Sequence, residues 1–172
     1  MQSYALVTGA STGIGREIAR CFAKDQIPLI LVSRQLEVLE KVRHDLMEVS
    51  KQPIEVISMD LSLPQAASEL YQRTEDLGLE VEYVVNNAGF GNFGNIQDLP
   101  EGKDEELLQL NTVTLTGLTE RFLPKMSGSS YTFSSGNTNA YRNSYSGSYA
   151  NTSCYSDSIS FTNPNSPRIH KS

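Results

Sequence analysis

The 172-residue sequence has no tryptophan, only two cysteines and no surplus of positive charge. Fourteen Lys and Arg stand against twenty Asp and Glu, giving a formal net charge of -6 and a pI near 4.9. That argues against a nucleic-acid partner, because releasing counterions from a phosphate backbone needs a basic face. Cys21 and Cys154 are too few for a disulfide framework or a zinc quartet. Cys21 falls in a predicted helix and is read as a small buried apolar residue. The longest apolar run, Ile27 to Val32, is far short of the ~18–20 residues of a membrane span. A strand-like YALV begins where a secretory leader would carry its basic and apolar regions. No membrane partner and no metal site are expected. A reducing, cytoplasmic compartment fits these absences, and the length suits one domain.

Another absence is confined to one part of the chain. After Met126 there is no Leu, Val, Met or Glu, while 14 of the last 46 residues are Ser, 6 are Asn and 5 are Tyr. Residues 1–126 hold 11 of the basic and 19 of the acidic side chains. A segment so poor in aliphatic residues cannot offset the entropy of ordering its own backbone. Residues 1–126 are therefore read as the organised domain and residues 127–172 as a disordered or irregular tail.

What is present in the first part alternates. Tyr4 to Val7 reads as a buried strand, followed by a helix with Ile14, Ile18, Ala19 and Phe22 on one face. PLILVSR, from Pro28, is a second strand. The next segment is an amphipathic helix presenting Leu36, Leu39, Val42, Leu46 and Val49. IEVISMD is a third strand, and a third helix is expected from Ser62 or Leu63 with Pro64 in its first turn. VEYVV is a fourth strand, and Glu101 to Met126 is mostly helical. This alternation predicts an α/β fold: a three-layer, Rossmann-like, doubly wound parallel sheet, incomplete at its first four to five strands and followed by an irregular polar tail. Both faces of such a sheet are covered, so its strands are apolar throughout. Ligands bind beyond the carboxyl ends of the strands, so sites are sought just after each one.

TGASTGIG, Thr8 to Gly15, joins the first strand to the first helix. Glycines there let the backbone turn tightly against a pyrophosphate, and the helix N-terminus supplies free N–H donors. Gly9, Ser11, Thr12, Gly13, Ile14 and Gly15 are thus candidate cofactor-binding residues. The strand before and the helix after are the context that gives the glycines meaning.

Thr followed by Gly-x-x-x-Gly-x-Gly resembles the short-chain dehydrogenase/reductase family, and further features agree. Asp60 and Leu61 end the third strand, where the resemblance implies contact with an adenine ring. Asn86-Asn87-Ala88-Gly89 is similar to the family's NNAG motif, implying that Asn87, Ala88 and Gly89 line the cofactor site. Asn111 stands at the place of the family's catalytic asparagine, which holds a water in a proton relay. The resemblance covers about residues 3–126.

Ser33 and Arg34 end the second strand, where folds selective for NAD place an acid on the ribose 2′-hydroxyl. A guanidinium there would pair with the extra phosphate of NADP, so NADP(H) is expected over NAD(H), the bland alternative being a solvated arginine. Arg16 is a second candidate for that phosphate, with a plain surface role as its alternative. His44 is read as solvated, and Asp104, Glu105 and Glu106 as an acidic first helical turn. GFGNFGN, Gly89 to Asn95, is either a mobile edge of the nicotinamide pocket or a mere connection.

The resemblance also implies a tyrosine acid–base group with a lysine four residues on, and an upstream serine that orients the substrate. Tyrosine at its unperturbed pKa of ~10 is a poor acid, so that cation is needed. No tyrosine in the sequence has a lysine four residues on. YTFSSG, from Tyr131, resembles a fifth strand with Ser134 or Ser135 as the serine. Tyr141, Tyr145 and Tyr149 recur every four residues but are read as patterned polar filler. Two readings stay open. One is the N-terminal half of an NAD(P)(H)-dependent oxidoreductase for a carbonyl/alcohol pair, catalytically impaired by an aberrant ending. The other is a non-catalytic nucleotide-binding or interaction protein. The resemblance implies a small-molecule substrate and homo-oligomers for the parent family.

Overall fold

The structure is a computed structural model that describes residues 2–92, 97, 100–126 and the backbone of 132–134. β1 (Ser3–Thr8) alternates between two cores. Tyr4 and Leu6 point to one side, and Ala5 and Val7 to the other. β2 (Leu29–Ser33) repeats this with Ile30 and Val32 against Leu29 and Leu31. Burial on both sides is why these strands read as unbroken apolar runs.

β1 pairs in parallel with β2, and on its other flank with β4 (Glu80–Asn86), setting Leu6 beside Val84. β2 pairs with β3 (Ile54–Ser58), and β4 with the short β5 (Thr132–Ser134). The order is β3-β2-β1-β4-β5, all parallel, as the alternating elements predict. The fifth strand therefore forms, with Ser134 at its carboxyl end opposite Asn86. Ser135 and the tyrosines of the tail lie outside the described residues.

α1 (Gly13–Lys24) and α2 (Leu36–Met47) cover one face. Their Ala19, Phe22, Ala23, Leu39, Val42 and Leu46 pack with Ala5, Val7, Leu29 and Leu31. α3 (Ala66–Asp76) and a helical run from Lys103 cover the other. That run comprises α4 (Lys103–Leu108), a π-helical segment (Gln109–Thr114), α5 (Leu115–Phe122) and a 3-10 turn (Leu123–Lys125). Leu70, Leu118 and Phe122 close this core over Leu6, Ile30 and Val32.

Several expectations need correction. Ile14, Leu36 and Val49 are 65%, 51% and 38% exposed, although each was expected on a buried face. All three lie at or beyond a helix terminus, where spacing alone does not place a residue over the sheet. Cys21 is half-buried. α3 starts at Ala66, later than Ser62 or Leu63. Asp60 Oδ1 accepts hydrogen bonds from the Ser62 N–H (2.9 Å) and Oγ–H (2.7 Å), which holds the chain in a turn. Gln65 then adopts φ 69°, which no helix interior accommodates. Among the described residues no helix is long and apolar enough to cross a membrane.

Candidate functional site

A cleft of about 870 Å³ opens beyond the carboxyl ends of β1 to β4. Its floor is stitched by Thr8, the last residue of β1. Thr8 Oγ1 donates to the Val85 carbonyl (3.1 Å) and accepts from the N–H groups of Asn87 and Ala88 (3.0 Å each). Asn87 Nδ2 returns to the carbonyls of Thr8 (3.0 Å) and Gly9 (3.2 Å). The glycine turn and the NNAG segment are thus one hydrogen-bonded unit, assembled from residues almost eighty apart in sequence.

Gly9, Ser11, Thr12 and Ile14 line the cleft. Gly13 and Gly15 do not; Gly15 packs beneath the turn, where a Cβ would lie 2.4 Å from the Gly9 carbonyl oxygen. Thr12 makes no side-chain cap on α1, and the first turn of α1 has no acidic residue. The N–H donors there face no built-in negative charge, which leaves them able to receive an anion.

Ser33 and Arg34 form one end of the cleft. The Met59 N–H donates to the Ser33 carbonyl (2.9 Å) and the Ser58 hydroxyl to the Arg34 carbonyl (3.0 Å), so β3 fixes the backbone that carries the guanidinium. Ser33 Oγ is shielded from solvent and has no hydrogen-bond partner. Arg34 itself is exposed.

Asp60 and Leu61 line the same cleft. Burial pushes the Asp60 carboxyl up, but the two hydrogen bonds from Ser62 and the cations of Arg34 and Lys103 together hold it below its ordinary value. The Leu61 carbonyl accepts from Thr114 Oγ1 (2.8 Å), tying this wall to the π-helical segment.

Ala88, Gly89 and Asn111 complete the set that the sequence proposed. Asn111 lies within the π-helical turn, a conformation that recurs at functional sites. Its side chain reads the backbone of one residue, accepting from the Phe90 N–H (3.3 Å) and donating to the Phe90 carbonyl (2.8 Å).

Sequence reasoning missed Gln35, Met59, Leu107 and Leu110, which also line the cleft. The spacing of Leu107 and Leu110 was a signal, but it was absorbed into a generic helix. Phe90, Gly91 and Asn92 line the cleft beside α4; residues 93–95 of GFGNFGN lie outside the described residues. Arg16 pairs with Asp45 on α2 (2.9 Å) and is not among the residues that line the cleft. His44 is exposed, and Asp104, Glu105 and Glu106 sit in the first turn of α4 as expected.

Residues 3–152 match the family profile described as short chain dehydrogenase. The 7beta-hydroxysteroid dehydrogenase of Mediterraneibacter gnavus is 29% identical over 111 residues, which are 64% of this chain and 41% of that protein. The alcohol dehydrogenase from the archaeon Thermococcus sibiricus, complexed with 5-hydroxy-NADP, superposes with a TM-score of 0.65 at 31% identity, covering 73% of this chain and 53% of that one. A short-chain dehydrogenase from Sphingobium yanoikuyae in complex with NADPH gives a TM-score of 0.65 at 30% identity, covering 71% and 48%. The chain therefore spans about half of these proteins or less.

Proposed function

The chain belongs to the short-chain dehydrogenase family, and on that premise we propose that its cleft binds NADP(H) in preference to NAD(H). The observation that carries this reading is the end of β2. There a guanidinium and an unpartnered hydroxyl, Arg34 and Ser33, stand where an acid would favour NAD. The donor set suits a phosphate, since an arginine forms charge-assisted hydrogen bonds to it and the serine hydroxyl has no other partner. The glycine turn with the uncapped start of α1 would hold the pyrophosphate through backbone N–H groups, Gly9, Ser11 and Thr12 bordering it. Asp60, Leu61 and Ala88 would frame the adenosine.

NADPH supplies a hydride, and the chemistry proposed for the fold is transfer between the nicotinamide and a small-molecule carbonyl/alcohol pair. The cofactor-bound neighbour from Thermococcus sibiricus, an alcohol dehydrogenase, supports that class. For the 172-residue chain itself we expect negligible turnover. No tyrosine is followed four residues later by a lysine, the spacing that would set a cation beside it on one helix face. That same gap favours a second reading, a protein that binds the dinucleotide without reacting it.

Titration with NADPH and NADH, followed by nicotinamide fluorescence, tests the cofactor assignment. Arg34→Ala should weaken NADPH about ten-fold or more and leave NADH unchanged. Equal affinities of the parent chain for the two would overturn it. Incubation with NADPH and a panel of ketones tests the expected lack of turnover, because measurable oxidation of NADPH would overturn it and end the non-catalytic reading as well.

A further inference from the structure

Beyond Asn86 the chain leaves the sheet, and Phe90 and Asn92 are held by the helical run that follows. At one end Asn111 holds both backbone groups of Phe90, at 3.3 and 2.8 Å. Lys103 Nζ sits 5.3 Å from the centre of the Phe90 ring and 2.6 Å from Glu106 Oε2. At the other end Asn92 Nδ2 donates to Asp104 Oδ1 at 3.1 Å. From Asp104 to Asn111 is about two helical turns, and Leu107 and Leu110 between them line the cleft. Residues 90–92 thus run along α4 as a strap fastened at both ends, with Phe90, Gly91 and Asn92 on the cleft side. Lys103 and Asp104 do not line the cleft themselves.

We propose that Lys103 and Asp104 are positioning residues that hold this strap as a preformed wall, and that dinucleotide affinity depends on both through the strap. A wall already ordered before binding spares the ligand the entropy of ordering it. The inference rests on the reading that the cleft takes a nicotinamide dinucleotide. A rival account is direct electrostatics, in which Lys103 attracts the phosphates and Asp104 repels them. The two accounts differ in sign. Removing the negative charge of Asp104 strengthens binding if the field is what matters, and weakens it if the strap is.

The test uses the full chain, with Lys103→Met, Asp104→Ala and Lys103→Arg titrated with NADPH. Hydrogen exchange at the Phe90 amide is followed alongside. Both Lys103→Met and Asp104→Ala should raise Kd about five-fold, while Lys103→Arg, which keeps a cation over the ring, should leave it near the parent value. The Phe90 amide should exchange faster in the first two, with an unchanged melting temperature. Tighter or unchanged binding by Asp104→Ala, or unchanged exchange at Phe90, overturns the proposal while leaving the cofactor reading intact. A parent chain that binds no dinucleotide overturns the cofactor reading, and the affinity claim falls with it.

Discussion

A methyl group on Gly15 would lie 2.4 Å from the Gly9 carbonyl oxygen and 2.3 Å from Asn87 Nδ2, so something in the hydrogen-bonded turn must move to admit it. Gly13, two residues earlier, differs: its φ is 56° but no atom lies within 4 Å of the added carbon. Gly15→Ala should therefore lower stability by about 1–3 kcal/mol, as overpacking does, and disrupt the cleft. Gly13→Ala should show only the left-handed backbone penalty of about 1–2 kcal/mol. Urea unfolding of both variants checks the contrast, and equal losses would show that the packing beneath the turn is slack.

Asp60 offers a second handle. Its folded pKa lies below the usual 3.8, so its contribution to stability is fully present above that value and is lost as pH falls through the folded value. The stability lost between pH 7 and pH 3 should shrink in Asp60→Asn, as measured by denaturant melts at the two pH values. At this scale the sequence was informative where backbone geometry forced a residue type, as at Gly9, whose φ is 65° and whose added Cβ would lie 2.8 Å from Asn87 Nδ2. It was misleading at Ile14, because helical spacing says which face a residue occupies but not that a terminal turn faces a cleft.

Among elements, the decisive join is between β1 and β4. Thr8→Val keeps the shape of the side chain but removes the oxygen that serves Val85, Asn87 and Ala88. Leaving such partners unsatisfied costs about 1–3 kcal/mol, and the melting temperature should fall accordingly. A second effect separates this from ordinary destabilisation. The NNAG segment would lose its tie to the glycine turn, so NADPH affinity should fall even well below the melting temperature. The elements themselves were legible in the sequence, since apolar runs and amphipathic periods each imply one partner surface. The interruption of the last helical run at Gln109–Thr114 was not legible. Nothing in QLNTVT marks a π turn, which here accompanies the grip of Asn111 on Phe90. The start of α3 was hidden likewise, because it depends on the Asp60 turn rather than on Pro64.

For the whole molecule, the parallel sheet and its two cores follow from alternation, and the strand-ending residues then meet at one edge. A ligand in that cleft touches both layers: Ile14 belongs to α1 on one face, while Leu110 and Asn111 belong to the helical run on the other. Binding should therefore stabilise the domain as a unit. At NADPH a hundred times its Kd the gain should be about 2.7 kcal/mol, seen as a rise in melting temperature larger than with NADH at equal concentration. Equal rises would deny the preference attributed to Arg34.

The placement of β1 between β2 and β4 also governs how the chain is made. β2 emerges from the ribosome soon after β1, but the carbonyl that Thr8 bonds belongs to Val85, 77 residues later. At about 5–20 residues per second of synthesis, one flank of the central strand stays open for about 4–15 seconds. During that interval β1 presents an unpaired apolar edge, the hazard that chaperones exist to cover. A ribosome-stalled series should show protease resistance appearing only once β4 is clear of the exit tunnel. The cleft would be born in the same step, since the strand that covers the open flank of β1 also carries Asn87 and Ala88 to the glycine turn.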